Sequence, residues 1–123
     1  PMDEELMCKE AQSLCGKHDF AAFAASGSVA KSTVRTIYRA EVRRQGEDVV
    51  FTVLGDGFLY NMVRIIAGTL MEVGTGKRAP GCIARAISTG DRLQLGQTAP
   101  ACGLALMRVL YDGDEKKALG YFE

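Results

Sequence analysis

The sequence predicts an α+β fold: a two-layer sandwich in which helices cover one face of a mostly antiparallel sheet. Three observations carry that prediction. Apolar spacing moves from a period near 3.6 to a period of two and back, in the order α-β-β-α-α-β. The first two strand-like runs are adjacent, joined by Gln45-Gly46-Glu47-Asp48, so they pair most simply as an antiparallel hairpin. The 123 residues suffice for one core and are short for two, so residues 1–123 form a single domain.

Asp3, Glu4 and Glu5 precede Leu6, Met7, Ala11 and Leu14, with Gly16 behind them. This is an amphipathic helix whose acidic first turn suits the macrodipole and whose glycine ends it. His18 to Phe23 follows as a loop with two aromatics, then a flexible Ser26-Gly27-Ser28. From Ser32 the period is two. Val34, Thr36, Tyr38, Ala40 and Val42 alternate with Arg35, Ile37, Arg39, Glu41 and Arg43, giving one face to bury and one that is largely basic. Val49 to Leu54 is the second arm of the hairpin. Asp56 offers an N-cap for a long helix from Phe58 to about Val73, closed by Gly74 and Gly76. A shorter helix starts near Pro80 and stops at Gly90. After a loop through Gly96 to Cys102, Gly103 to Tyr111 reads as a strand with both faces covered, and the charged tail from Asp112 is peripheral.

Composition excludes several classes. No apolar run approaches the roughly 18–20 residues of a membrane span, and no charged and then apolar leader opens the chain. The expectation is a soluble cytoplasmic protein without membrane association. Cys8, Cys15, Cys82 and Cys102 form no C-x-x-C pair, and His18 alone cannot complete a zinc set, so no metal site is expected and the thiols read as reduced. Zero net charge hides a segregation: from Lys31 to Arg108, eleven basic residues face six acidic ones, a net +5 between acidic ends. An anionic partner is permitted, as is an ordinary solvated surface.

The stretch FLYNMVRIIAG, Phe58 to Gly68, poses the sharpest question. Leu59, Met62, Val63, Ile66, Leu70 and Val73 share one side of the helical period, and Arg64 stands beside them with Tyr60 and Gly68 at i, i+4, i+8. Arg64 either reaches past the helix edge to water or waits in a cleft for a carboxylate or phosphate, with Gly68 permitting close backbone approach. No carboxylate at i±3 or i±4 pairs with it, so a buried Arg64 draws its partner from elsewhere. Arg35, Arg39 and Arg43 on the strand, and Lys77 and Arg78 beyond the long helix, are candidate contacts to an RNA backbone or parts of a solvated face. His18 without a nucleophile beside it reads as structural, and Phe20 and Phe23 as core anchors.

The motifs G-D-G-F-L-Y-N-M-V-R-I-I-A-G-T-L-M-E-V-G-T-G-K-R, H-D-F-x-x-F, S-T-V-R-T-I and T-A-P-A-C-G-L-A-L-M-R-V-L-Y occur in an order that resembles the C-terminal half of bacterial tRNA pseudouridine synthases of the A type, over about residues 6 to 112. The resemblance implies a pseudouridine synthase half-domain in an isomerase that converts uridine to pseudouridine in the anticodon stem-loop of tRNA. It also implies no cofactor or metal, a homodimer, and an aspartate that starts the chemistry. By position in M-V-R, Arg64 pairs with that aspartate, and Leu104 in G-L-x-L walls the pocket of the flipped base. A carboxylate held ionised in a dry pocket needs a fixed cation, and a base taken out of its stack needs apolar surface.

The family's G-R-T-D-x-G-V-H-A stretch, which carries the aspartate, has no counterpart here, nor has its active-site tyrosine. Asp19 belongs to the H-D-F loop, Asp56 reads as a cap and Asp91 follows a helix end. The expectation is a fragment inactive alone, cut before Pro1 from a two-domain enzyme whose N-terminal domain is its partner. Two other classes compete: a stand-alone non-catalytic RNA-binding α+β module using the basic strand face, and an assembly domain using the apolar helix and last strand.

Overall fold

A computed structural model of the chain describes residues 2–24, 32–59 and 61–99, and the backbone of residues 107–111. The elements are α1 (Glu4–Ala11), β1 (Gly16–Asp19), β2 (Val34–Gln45), β3 (Asp48–Gly55), α2 (Met62–Gly74), α3 (Cys82–Thr89) and β4 (Met107–Tyr111). One four-stranded sheet has the order β1-β2-β3-β4. The first three strands are antiparallel neighbours, and β4 joins β3 in parallel, Phe51 opposite Met107 and Gly55 opposite Tyr111. The α+β fold and mostly antiparallel sheet are as the sequence predicts. Tyr60, residues 26–28, residues 103–106 with Leu104, and the tail from Asp112 lie outside the described residues.

Four local expectations need correction. His18 and Asp19, read as the start of a loop, belong with Gly16 and Lys17 to the edge strand β1, Gly16 lying opposite Ile37 and Asp19 opposite Val34. Four residues starting on a glycine at φ 108° are too few to show a period. The long helix starts at Met62 rather than Phe58, because Asn61 sits in the left-handed region at φ 61° and a right-handed helix cannot run through it. Asp56 does not cap that helix. Its carboxylate accepts from the Thr36 N–H at 2.9 Å and ties the end of the hairpin to its start.

The fourth correction concerns β2. Its register to β3 shifts between Ile37 and Arg39, a bulge that inserts one extra residue and inverts the alternation. Ile37 is buried before the bulge, Ala40 and Val42 after it, and Val34 and Tyr38 are exposed. By strand parity Arg35 shares the side of Ile37, whereas Arg39 and Arg43 lie opposite Ala40 and Val42. The basic residues of β2 therefore do not form one continuous stripe.

A single apolar core joins Met7, Ala11 and Leu14 with Ile37, Val42, Phe51 and Val53 of the sheet and with α2 and α3. Every α2-side residue assigned to the core from spacing is buried, and so are Ile65, Ala67, Gly68 and Thr69. The helix is thus enclosed on more than one side. Phe20 and Phe23 are fully buried, edge to face at 5.3 Å, and His18 packs edge-on against Phe20 with a ring nitrogen 2.8 Å from the Cys15 carbonyl. These three are structural, as expected. Among the described residues no helix is long and apolar enough to cross a membrane, and Cys8, Cys15 and Cys82 are free thiols.

Glu10 escapes sequence reasoning. It is 5% exposed, and its carboxylate accepts from the N–H groups of Gly81 at 2.7 Å and Ile83 at 3.1 Å, capping α3 from α1. A carboxylate at a helix N-terminus satisfies orphan donors and complements the dipole. Burial, with the Glu10 charge beside it, pushes the Cys82 thiol up to about 11, so it stays protonated and inert at neutral pH. Glu10→Ala leaves two amides without acceptors and should lower stability by roughly 2–4 kcal/mol in urea unfolding, with Glu10→Gln milder. An unchanged midpoint for Glu10→Ala would remove the cap from the fold's support.

Candidate functional site

Arg64 lies on the first turns of α2 and is half-buried. Its Nε donates to the Ala99 carbonyl at 2.9 Å and its Nη1 to Asn61 Oδ1 at 3.1 Å. The bond is answered by the backbone, since the Ala99 N–H donates to the Arg64 carbonyl at 3.0 Å. Both side-chain partners are neutral, and among the described residues no carboxylate pairs with Arg64. The two bonds leave from different sides of the planar group, so they fix its orientation without neutralising its charge.

Asn61 is placed for this by its backbone. Asparagine tolerates the left-handed conformation better than most side chains, and from there its amide oxygen meets the guanidinium one turn on. The sequence signal was available, an asparagine directly before an apolar helical run, but its partner could not be read from spacing.

Gly68 admits the close backbone approach expected of it, and the backbone that approaches is residues 97–99 of the same chain, with Ala99 also meeting Arg64. This segment lies along α2. Gly96 N–H donates to Thr69 Oγ1 at 2.9 Å, Gln97 N–H to Glu72 Oε2 at 2.8 Å, and Ala99 closes on Arg64. A Cβ on Gly68 would overlap the Gln97 carbonyl oxygen, so only glycine permits the contact. Glu72 is the second anchor, because its other oxygen accepts from Arg78 Nε at 3.2 Å.

The aspartates weighed as substitutes for a nucleophile are engaged structurally. Asp19 accepts from the Ala21 N–H and the Thr33 hydroxyl, Asp56 from Thr36, and Asp91 from the Leu93 N–H. The candidate RNA contacts divide into two groups. Arg35 turns its Nη1 back to the carbonyls of Ser32 and Val34, and Arg43 pairs with Glu41 at 2.7 Å. Arg39 is exposed on the same strand, and Arg44 beside Arg43 is held by Glu4 at 2.8 Å. That hydrogen bond holds the Glu4 carboxyl below its ordinary range. Lys77 and Arg78 stand apart from these, beyond the C-terminal end of α2, on a depression of about 680 Å³.

An oriented cation with no counter-ion among the described residues, a helix clamped by a loop and a flanking basic surface make up the candidate site. The chain belongs to the tRNA pseudouridine synthase family, whose profile matches residues 11–112. Among individual relatives, it is similar to proteins named tRNA pseudouridine synthase A. The one from Geotalea uraniireducens is 50% identical over 110 residues, 89% of this chain and 45% of the relative. That from Acetivibrio thermocellus is 51% identical over 110 residues with the same coverages, and that from Ligilactobacillus salivarius 46% over 119 residues, 95% of this chain and 46% of the relative. The chain spans about half the length of the curated relatives it matches.

Gly68→Ala forces a methyl into the Gln97 carbonyl and should displace residues 96–99, at a cost of roughly 1–3 kcal/mol. Faster amide exchange at Gly96, Gln97 and Ala99 is the expected signature, and unaltered protection at those amides would show that the glycine is not what admits the segment.

Proposed function

We propose that this chain is the C-terminal half of a tRNA pseudouridine synthase and supplies one side of its tRNA-binding cleft. In that reaction the N-glycosidic bond of a uridine in the anticodon stem-loop breaks, the base turns, and it rejoins the ribose through carbon. Arg64 is the cation that keeps the initiating aspartate ionised, the aspartate coming from the N-terminal domain of the whole enzyme. Leu104 walls the pocket for the flipped base. Arg35, Arg39, Arg43, Lys77 and Arg78 contact the RNA backbone. The whole enzyme is a cytoplasmic homodimer that needs no cofactor, and this half alone is inactive.

The observation that carries the reading is the bonding of Arg64. Its Nε and Nη1 are taken by neutral oxygens, Ala99 and Asn61, and no carboxylate meets it among the described residues. A half-buried guanidinium fixed at Nε and Nη1 presents its remaining donors, those of Nη2 first, in a set direction, a preorganised arrangement for a carboxylate. An aspartate accepting from it stays ionised when the cleft closes and water leaves, because a nearby cation favours the charged form. Arginine suits the role better than lysine, since it holds its charge in any environment and its planar fork can bond Ala99 and a carboxylate at once.

In the whole enzyme, Arg64→Ala should lower turnover by about 10²–10³-fold while tRNA affinity changes little, and Arg64→Lys should restore only part of the loss. Turnover is read as pseudouridine formed in a tRNA transcript, affinity by filter binding. Turnover equal to wild type in Arg64→Ala would sink the assignment.

A further inference from the structure

The depression beyond α2 is lined by Lys77, Arg78 and Arg92, by Glu72, and by Leu93. The single acid is fully engaged: one Glu72 oxygen accepts from Arg78 and the other from the Gln97 N–H. Arg78 also reaches the Gln94 carbonyl at 3.2 Å. Among the described residues, the side chains of Lys77 and Arg92 have no hydrogen-bond or ion-pair partner, so the surface carries two uncommitted cations. Leu93 is 83% exposed, the most exposed of the large apolar side chains described, held out by a 3-10 turn that Asp91 caps. The exposed leucine gains by being covered, and two cations without internal partners draw an anion to the same surface.

We infer that this depression is a phosphodiester subsite for tRNA, in which Lys77 and Arg92 contact the backbone and Leu93 packs against an unstacked nucleotide. The inference rests on the proposed function and adds Arg92 and Leu93 to it. Nucleic acid is the anion that joins negative charge to a large flat apolar surface, and leucine is a known wedge against unstacked bases. An acidic protein segment would satisfy the cations but gives the leucine no such surface. Position supports a strand that continues from the active site. Eight residues of α2 separate Arg64 from Glu72, about 12 Å along the axis.

The test uses the whole enzyme and an unmodified tRNA transcript. Lys77→Gln/Arg92→Gln should raise Kd about tenfold at moderate salt and flatten the dependence of log K on log salt by about 1.4–1.8, the share of two phosphate contacts. Leu93→Ser should weaken binding with the salt slope kept. Wild-type Kd and slope in the double variant would overturn the subsite. So would a raised Kd with an unaltered slope, because the cations would then not be meeting phosphates. If the wild-type enzyme forms no pseudouridine while the double variant still loses affinity and slope, the subsite stands and the isomerase reading falls.

Discussion

Arg64 and Ala99 hold one another twice, side chain to carbonyl and amide to carbonyl, and the rest of the site is arranged around that exchange. The helix that carries Arg64 is anchored in the core through Met62, Ile65, Ile66 and Leu70, all at most 1% exposed. The segment that carries Ala99 has little core of its own and depends on α2: Thr69 and Glu72 accept its amides, and Gly68 lets its backbone lie against the helix. A rigid helix thus fixes a loop, and the loop in turn fixes the guanidinium. Preorganisation of this kind removes the entropy that a long flexible arginine would otherwise lose on meeting its partner.

The core of the fold was legible because the apolar periods are strong. Residues 62–73 show a helical stripe, Val49 to Leu54 a β-branched run, and Gly90 ends α3 in the left-handed region as a C-terminal glycine should. What was not legible depended on contacts distant in sequence or on single-residue irregularities. Glu10 lies in a helix that reads as ordinary and amphipathic, yet it caps an element 71 residues away. The bulge at residues 37–39 turns Arg35 away from Arg39 and Arg43, and no period can announce one inserted residue. Asn61 delays the start of α2 through a backbone conformation that its side chain allows but does not require.

For the site, Arg64 stood out as a charge beside an apolar stripe, and the order of the motifs pointed to the family that residues 11–112 match. Spacing could say that no carboxylate on the same helix meets Arg64. It could not say that a carbonyl 35 residues on would take its Nε. Nor could it divide the basic residues into those already engaged, such as Arg44 with Glu4, and those that are not. That division matters for the interface, because a cation bonded within the chain must break that bond before it can meet an external anion.

On the proposed function, Arg64 is oriented for a carboxylate from another part of the whole enzyme, since none meets it among the described residues. A crystal structure of the whole enzyme tests it most directly, through the distance from the Arg64 guanidinium to the nearest carboxylate oxygen. An aspartate from outside this chain, within about 4 Å of the guanidinium while Ala99 still accepts from Nε, is the expected result. A guanidinium turned to solvent, or paired with an acid of this chain, would contradict it.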